Sequence, residues 1–129
     1  MSLLARTAAS LSSITPPQND QITGLLAGEA IAAGDVCYIH TDGLIYRSIG
    51  TADNAAAKAV GIAPGAAAAG QACTLYRNVQ FAYGSGLTPG ALYYVAGTAG
   101  RLDTAATTGG LVPVAFAVTT ERIRFIGSY

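Results

Sequence analysis

The chain repeats a β phrase, and that repeat limits what it can fold into. With Gly34 set against Gly90, Val36-Cys37-Tyr38-Ile39 falls on Leu92-Tyr93-Tyr94-Val95. One extra residue in the second turn brings Gly43-Leu44-Ile45 onto Gly100-Arg101-Leu102. Farther along, Ala59-Val60-Gly61-Ile62-Ala63 faces Pro113-Val114-Ala115-Phe116-Ala117, and Cys73-Thr74-Leu75-Tyr76 stands in the place of Ile123-Arg124-Phe125-Ile126. A shorter phrase, Ala-Gly-x-x-Cys, recurs at Ala33–Cys37 and Ala69–Cys73. The unit reads hairpin, loop, strand, strand, over about residues 30–78 and 87–126. Neither copy could bury its apolar face alone. The expected fold is therefore all-β: a small sandwich or barrel built from two similar β units within one domain, residues 21–129.

Local signals agree. Short runs rich in Val, Ile, Tyr and Thr are cut by glycine, which is strand-and-turn texture. The clearest case is Asp35–His40, then Thr41-Asp42-Gly43, then Leu44–Ser48; Asp-Gly supplies the positive φ of a tight hairpin turn. Further strands are expected at Ile22–Glu29, Ala59–Ala63, Ala72–Arg77, Leu92–Ala96, Arg101–Asp103, Val112–Val118 and Arg122–Ile126. The alanine runs Ala55–Ala57 and Ala66–Ala69 favour helix, but Gly61, Pro64-Gly65 and Gly70 leave room for a single turn at most.

Residues 1–20 differ from the rest and read as an extended N-terminal arm. They lack strand alternation, and Pro16-Pro17 removes two backbone donors and favours extended chain. Leu3, Leu4, Leu11 and Ile14 are apolar anchors, with Arg6 among them, so two readings stand side by side: an arm that orders against a neighbouring subunit, or a disordered terminus. MSLLARTAASLSS, with one Arg and a two-leucine apolar core, is too weak for a secretory signal.

Composition narrows function. The seven Lys+Arg and seven Asp+Glu cancel, and charged residues make up 11%. A nucleic-acid partner calls for a basic excess, so none is expected. No apolar run approaches the ~18–20 residues of a membrane helix. Alanine supplies 26 of the apolar residues, so the core is lean. Mean hydropathy is +0.41, which suits a surface partly buried against other chains.

Catalytic chemistry is not legible. His40 is the single histidine and the acids are scattered singly. No nucleophile elbow, phosphate loop, dinucleotide fingerprint or zinc-binding cluster occurs. The expectation is no catalytic residue, no metal and no cofactor. Cys37 and Cys73 read as two buried, reduced thiols rather than a disulfide. Tyr38, Tyr46, Tyr76 and Tyr94 lie in expected strands as core rings. Phe81 and Tyr83 flank the Gly84-Ser85-Gly86 stretch and read as aromatic interface candidates.

The segments Ala33–Arg47, Ala59–Ala63, Ala69–Leu75, Leu87–Asp103 and Pro113–Ala117 together resemble the small capsid decoration, or cement, proteins of tailed bacteriophages. The resemblance implies a β-rich structural protein, often a homotrimer, that binds the major capsid protein on the outer face of the shell and strengthens it. It implies manufacture in the host cytoplasm, location in the virion, and no catalytic residues. Under this reading Leu3, Leu4, Arg6, Leu11, Ile14, Pro16, Pro17, Phe81 and Tyr83 are the candidate interface. Similar phrases occur in phage tail and fibre proteins, so the alternative is a tail, baseplate or receptor-binding module with a carbohydrate-binding aromatic face.

Overall fold

The computed structural model describes residues 3–7, 10–11 and 20–128. Among them are eleven strands: β1 (Ser10–Leu11), β2 (Gln21–Leu26), β3 (Val36–Ile39), β4 (Ile45–Arg47), β5 (Gly61–Ile62), β6 (Ala72–Tyr76), β7 (Val79–Ala82), β8 (Leu92–Val95), β9 (Leu102–Asp103), β10 (Ala115–Ala117) and β11 (Arg122–Phe125). A single 3-10 turn, Ala55–Ala57, is capped by the Asn54 side chain. The first alanine run thus forms one turn and no more.

All strand pairs are antiparallel, in two sheets. One has the order β2-β6-β5-β3-β4; the other has β1-β7-β11-β10-β8-β9. Without β1, these are the same order: in each half the five strands, numbered along the chain, lie 1-5-4-2-3. The registers match as well. Val36 opposite Ile62 and Cys37 opposite Gly61 correspond to Leu92 opposite Phe116 and Tyr93 opposite Ala115. Tyr38 opposite Tyr46 and Ile39 opposite Ile45 correspond to Tyr94 opposite Asp103 and Val95 opposite Leu102. Loop hydrogen bonds repeat too: Gly34 N to Ala63 O has its counterpart in Gly90 N to Ala117 O, both 2.8 Å. These two glycines open their hairpins at φ 86 and 85.

The repeat differs from the sequence alignment in two respects. Each unit begins one strand earlier, with β2 and β7, giving units over residues 21–76 and 79–125 rather than 30–78 and 87–126. Ile62 opposite Tyr76 matches Phe116 opposite Arg124, so the last strands align two residues from the sequence placement. A two-residue slip keeps every side chain on its face, and the alternation survives it.

Each half contributes buried apolar side chains. Ala27, Ile31, Cys37, Ile45, Ala63, Cys73 and Leu75 cluster within the first unit. The larger cluster joins both sheets: Val36, Ala59 and Ile62 meet Phe81, Tyr83, Tyr93, Val95, Leu102, Ile123 and Phe125. Tyr38, Tyr46, Tyr76 and Tyr94, expected as core rings, are only half-buried. The tyrosines fully inside are Tyr83 and Tyr93.

Candidate functional site

The most specific contact surface in the molecule is the one that receives the N-terminal arm. The second sheet ends in two edges, β7 and β9, and an edge strand presents a row of unpaired amides and carbonyls. The arm pairs with both. On the β9 side Leu3 bridges Asp103, Leu4 N donates to Leu102 O at 3.0 Å, and Arg101 Nη2 donates to Leu4 O at 2.9 Å. On the β7 side Thr7 N donates to Tyr83 O at 3.0 Å. Ser10 then pairs with Ala82, and Leu11 with Phe81.

Between the two edges Arg6 crosses the Tyr83 ring, 6.0 Å from its centroid. Its guanidinium reaches Asp35 at 2.9 Å. Asp35 is buried and also accepts from Ala32 N at 2.8 Å, so both carboxylate oxygens are engaged. In the repeat register the counterpart of Asp35 is Ala91. The ionic anchor is a feature of one unit alone. Burial pushes the Tyr83 phenol above its ordinary range, with the nearby Arg6 charge opposing it.

The first unit shows what the arm replaces. There the chain just beyond β2 returns to β4 unaided: Ala27 bridges Ile45, and Gly28 N donates to Ile45 O at 2.8 Å. Ile45 O in the first unit and Leu102 O in the second are equivalent acceptors. Gly28 fills the first; Leu4 of the arm fills the second. The glycines confirm the substitution of partners. A Cβ on Gly28 would run into the Tyr46 ring, so the chain just beyond β2 lies directly against a side chain of β4. A Cβ on Gly84 would lie 2.7 Å from Ala5 O. The arm is interposed where the first unit closes on itself.

The sequence-derived interface residues therefore fall in several places. Leu3 is 42% exposed. Leu4 packs on the larger core cluster, Arg6 forms the ion pair, and Leu11 pairs with β7; all of these contacts are with the chain's own second unit or with Asp35. Ile14, Pro16 and Pro17 lie outside the described residues. Phe81 and Tyr83 must be corrected: both are 0% exposed and belong to the core, not to an exposed interface. The Val79, Phe81, Tyr83 alternation was the available signal. It marks a strand with one buried face, although glycines follow it directly at Gly84 and Gly86.

Two surfaces were not singled out in the sequence. One is apolar: Leu111 and Val112, on the loop entering β10, are 71% and 65% exposed. The other is aromatic, at the β3–β4 hairpin. Tyr38 and Tyr46 have ring centroids 6.1 Å apart, and His40 stands edge-on to Tyr46 at 5.5 Å. Tyr46 Oη donates to Asp42 Oδ2 at 2.7 Å. That bond, with a second from Leu44 N, holds the Asp42 carboxyl below its usual range and raises the Tyr46 phenol.

No protein-family model, curated protein or solved structure matches the chain.

Proposed function

We propose that the protein is a structural virion component of a tailed bacteriophage, a decoration protein that binds the major capsid protein on the outside of the shell. The observation that carries this reading is the adjacent Leu111–Val112 pair, the two most exposed large apolar side chains among the described residues. Large apolar side chains held in water by an ordered loop are characteristic of protein-binding surfaces. The resemblance of both hairpin units to cement proteins supplies the partner. Many equivalent sites on a shell convert modest contacts into firm attachment, and the balanced charge suits protein–protein packing rather than a polyanion. Work of this kind needs no catalytic residue, and a trimer seated on the shell surface is the proposed assembly.

The test is co-sedimentation with shells of the parent phage that lack the protein. The wild-type chain should pellet with the shells; Leu111→Asp and Val112→Asp should stay in the supernatant while keeping the wild-type melting temperature. Equal pelleting of both variants overturns the assignment of this surface. Failure of the wild-type chain to bind overturns the function.

The Tyr38–His40–Tyr46 cluster favours a second reading, a receptor-binding module with a carbohydrate partner. Aromatic faces beside a fixed carboxylate are a frequent sugar-binding combination. Titration of host surface polysaccharide, followed by tyrosine fluorescence, should then give saturable quenching that Tyr46→Ala abolishes. A flat titration removes this reading.

A further inference from the structure

We infer that the groove between β7 and β9 is a strand-acceptor site, and that its exchangeable occupant is the Leu3–Leu11 arm of a second copy of this chain. Four observations lead there. The arm belongs to neither repeat unit, since β2–β6 and β7–β11 each complete the same five-strand order without it. The first unit closes by its own residues at Ala27 and Gly28, whereas among the described residues the second is closed by Leu3, Leu4, Thr7, Ser10 and Leu11 of the arm. The arm's contacts are backbone pairing to two edges, the Arg101 bond to Leu4 O, Leu4 packed on the core, and Arg6 against Tyr83 and Asp35, and all of them are indifferent to which chain supplies the arm. The connector, residues 12–19, is long enough to reach a neighbour: the nine steps from Leu11 to Asp20 span at most about 30 Å at ~3.3–3.6 Å per residue.

Exchange of an identical element between copies keeps every native contact and adds only the loss of freedom on association. Arg6 sets direction and register. Its partner Asp35 lies in the first unit of the receiving chain, so an arm entering the groove must cross Tyr83 to reach that buried carboxylate. Each copy then offers one arm and one groove, which generates a closed ring when the rotation between copies returns to its start.

The experiment uses two full-length single-cysteine additions, Ser10→Cys and Ala82→Cys, at positions that pair directly across β1 and β7. The native Cys37 and Cys73 are buried and remain in place. Chains carrying only Ser10→Cys are mixed with chains carrying only Ala82→Cys, left to equilibrate, and oxidised. Arm exchange gives a mixed disulfide between the two chain types, resolved by mass, well above the level in controls that mix either chain with the wild type. Light scattering should give the full chain a mass that is an integer multiple of the protomer. Deletion of residues 2–11, or Gly84→Val to block the groove, should lower it to the protomer mass. The inference is overturned if the mixed disulfide stays at control level while a chain carrying both cysteines closes within itself. It is also overturned if the oligomer survives both the deletion and Gly84→Val, because association then uses another face. Capsid binding enters neither readout, so the outcome is separable from the proposed function.

Discussion

The Arg6 guanidinium meets the Asp35 carboxylate at 2.9 Å, and with that contact the arm, the first unit and the second unit converge on one residue. Asp35 holds its own turn through Ala32 N. The next residue, Val36, donates to Gly100 O of the second unit at 3.0 Å. The Arg6 and Asp35 side chains are only 15% and 4% exposed, so neither charge can be left alone cheaply.

Removing one partner of a mostly buried ion pair typically destabilises by ~3–5 kcal/mol, because the other charge stays desolvated. Arg6→Gln and Asp35→Asn should each lower the unfolding free energy by about 3 kcal/mol. The double variant should be little worse than either single one. Urea denaturation of the four proteins gives the coupling energy directly. A coupling near zero would mean that the pair does not secure the arm.

Gly100 lies at φ 77, and a Cβ there would stand 2.7 Å from the Asp35 carboxylate. Gly100→Ala should therefore destabilise by more than the ~1–2 kcal/mol of left-handed backbone alone. Shortening Asp35 to alanine removes the two nearest atoms and leaves its Cβ, at 3.1 Å. The Gly100→Ala penalty should shrink in an Asp35→Ala background, and thermal denaturation of the single and double variants measures the difference.

Phe81 separates the two readings of its segment. As a core residue with no exposure, Phe81→Ala should lose ~3–5 kcal/mol. Leu111→Ala, at a site open to solvent, should stay within about 0.5 kcal/mol. Denaturant midpoints decide the matter, and a Phe81→Ala midpoint equal to wild type would return that ring to the surface.

Burial raises the Cys37 thiol well above its ordinary value, with the Asp35 charge adding to the effect, and burial raises Cys73 as well. Two outcomes are expected. Folded protein at pH 8 should react slowly with a thiol reagent and yield two free thiols on unfolding. Stability should also fall as pH climbs past the ordinary thiol value of 9.0. The unfolded chain then releases protons that the folded chain retains, so alkali favours unfolding. Cys37→Ala should flatten that decline. Rapid labelling of the native protein, or identical alkaline profiles, would count against the buried assignment.

Much of this architecture was written locally. Gly34 and Gly90 mark equivalent turns, and Asp42-Gly43 marks the first hairpin. The alternation of Val36 and Tyr38 in β3, and of Leu92 and Tyr94 in β8, placed these two strands in register with each other. These features depend on residues a few positions apart, where backbone preference and side-chain period suffice. β7 is not legible in the sequence although its alternation is regular, since short β runs next to glycine look alike whether they are edges, loops or core strands.

The sequence by itself determined the strand periods, the turns and the fact of duplication, because each is a property of adjacent residues. Only the tertiary structure decided which tyrosines are inside, how early each unit begins, and where the arm lies. Those outcomes turn on pairings between distant segments: Leu4 with Leu102, Arg6 with Asp35, Leu11 with Phe81. A sheet edge accepts any chain with free amides and carbonyls. The arm's composition therefore carries its anchors, while the acceptor is created only when β7 and β9 become the two edges of one sheet.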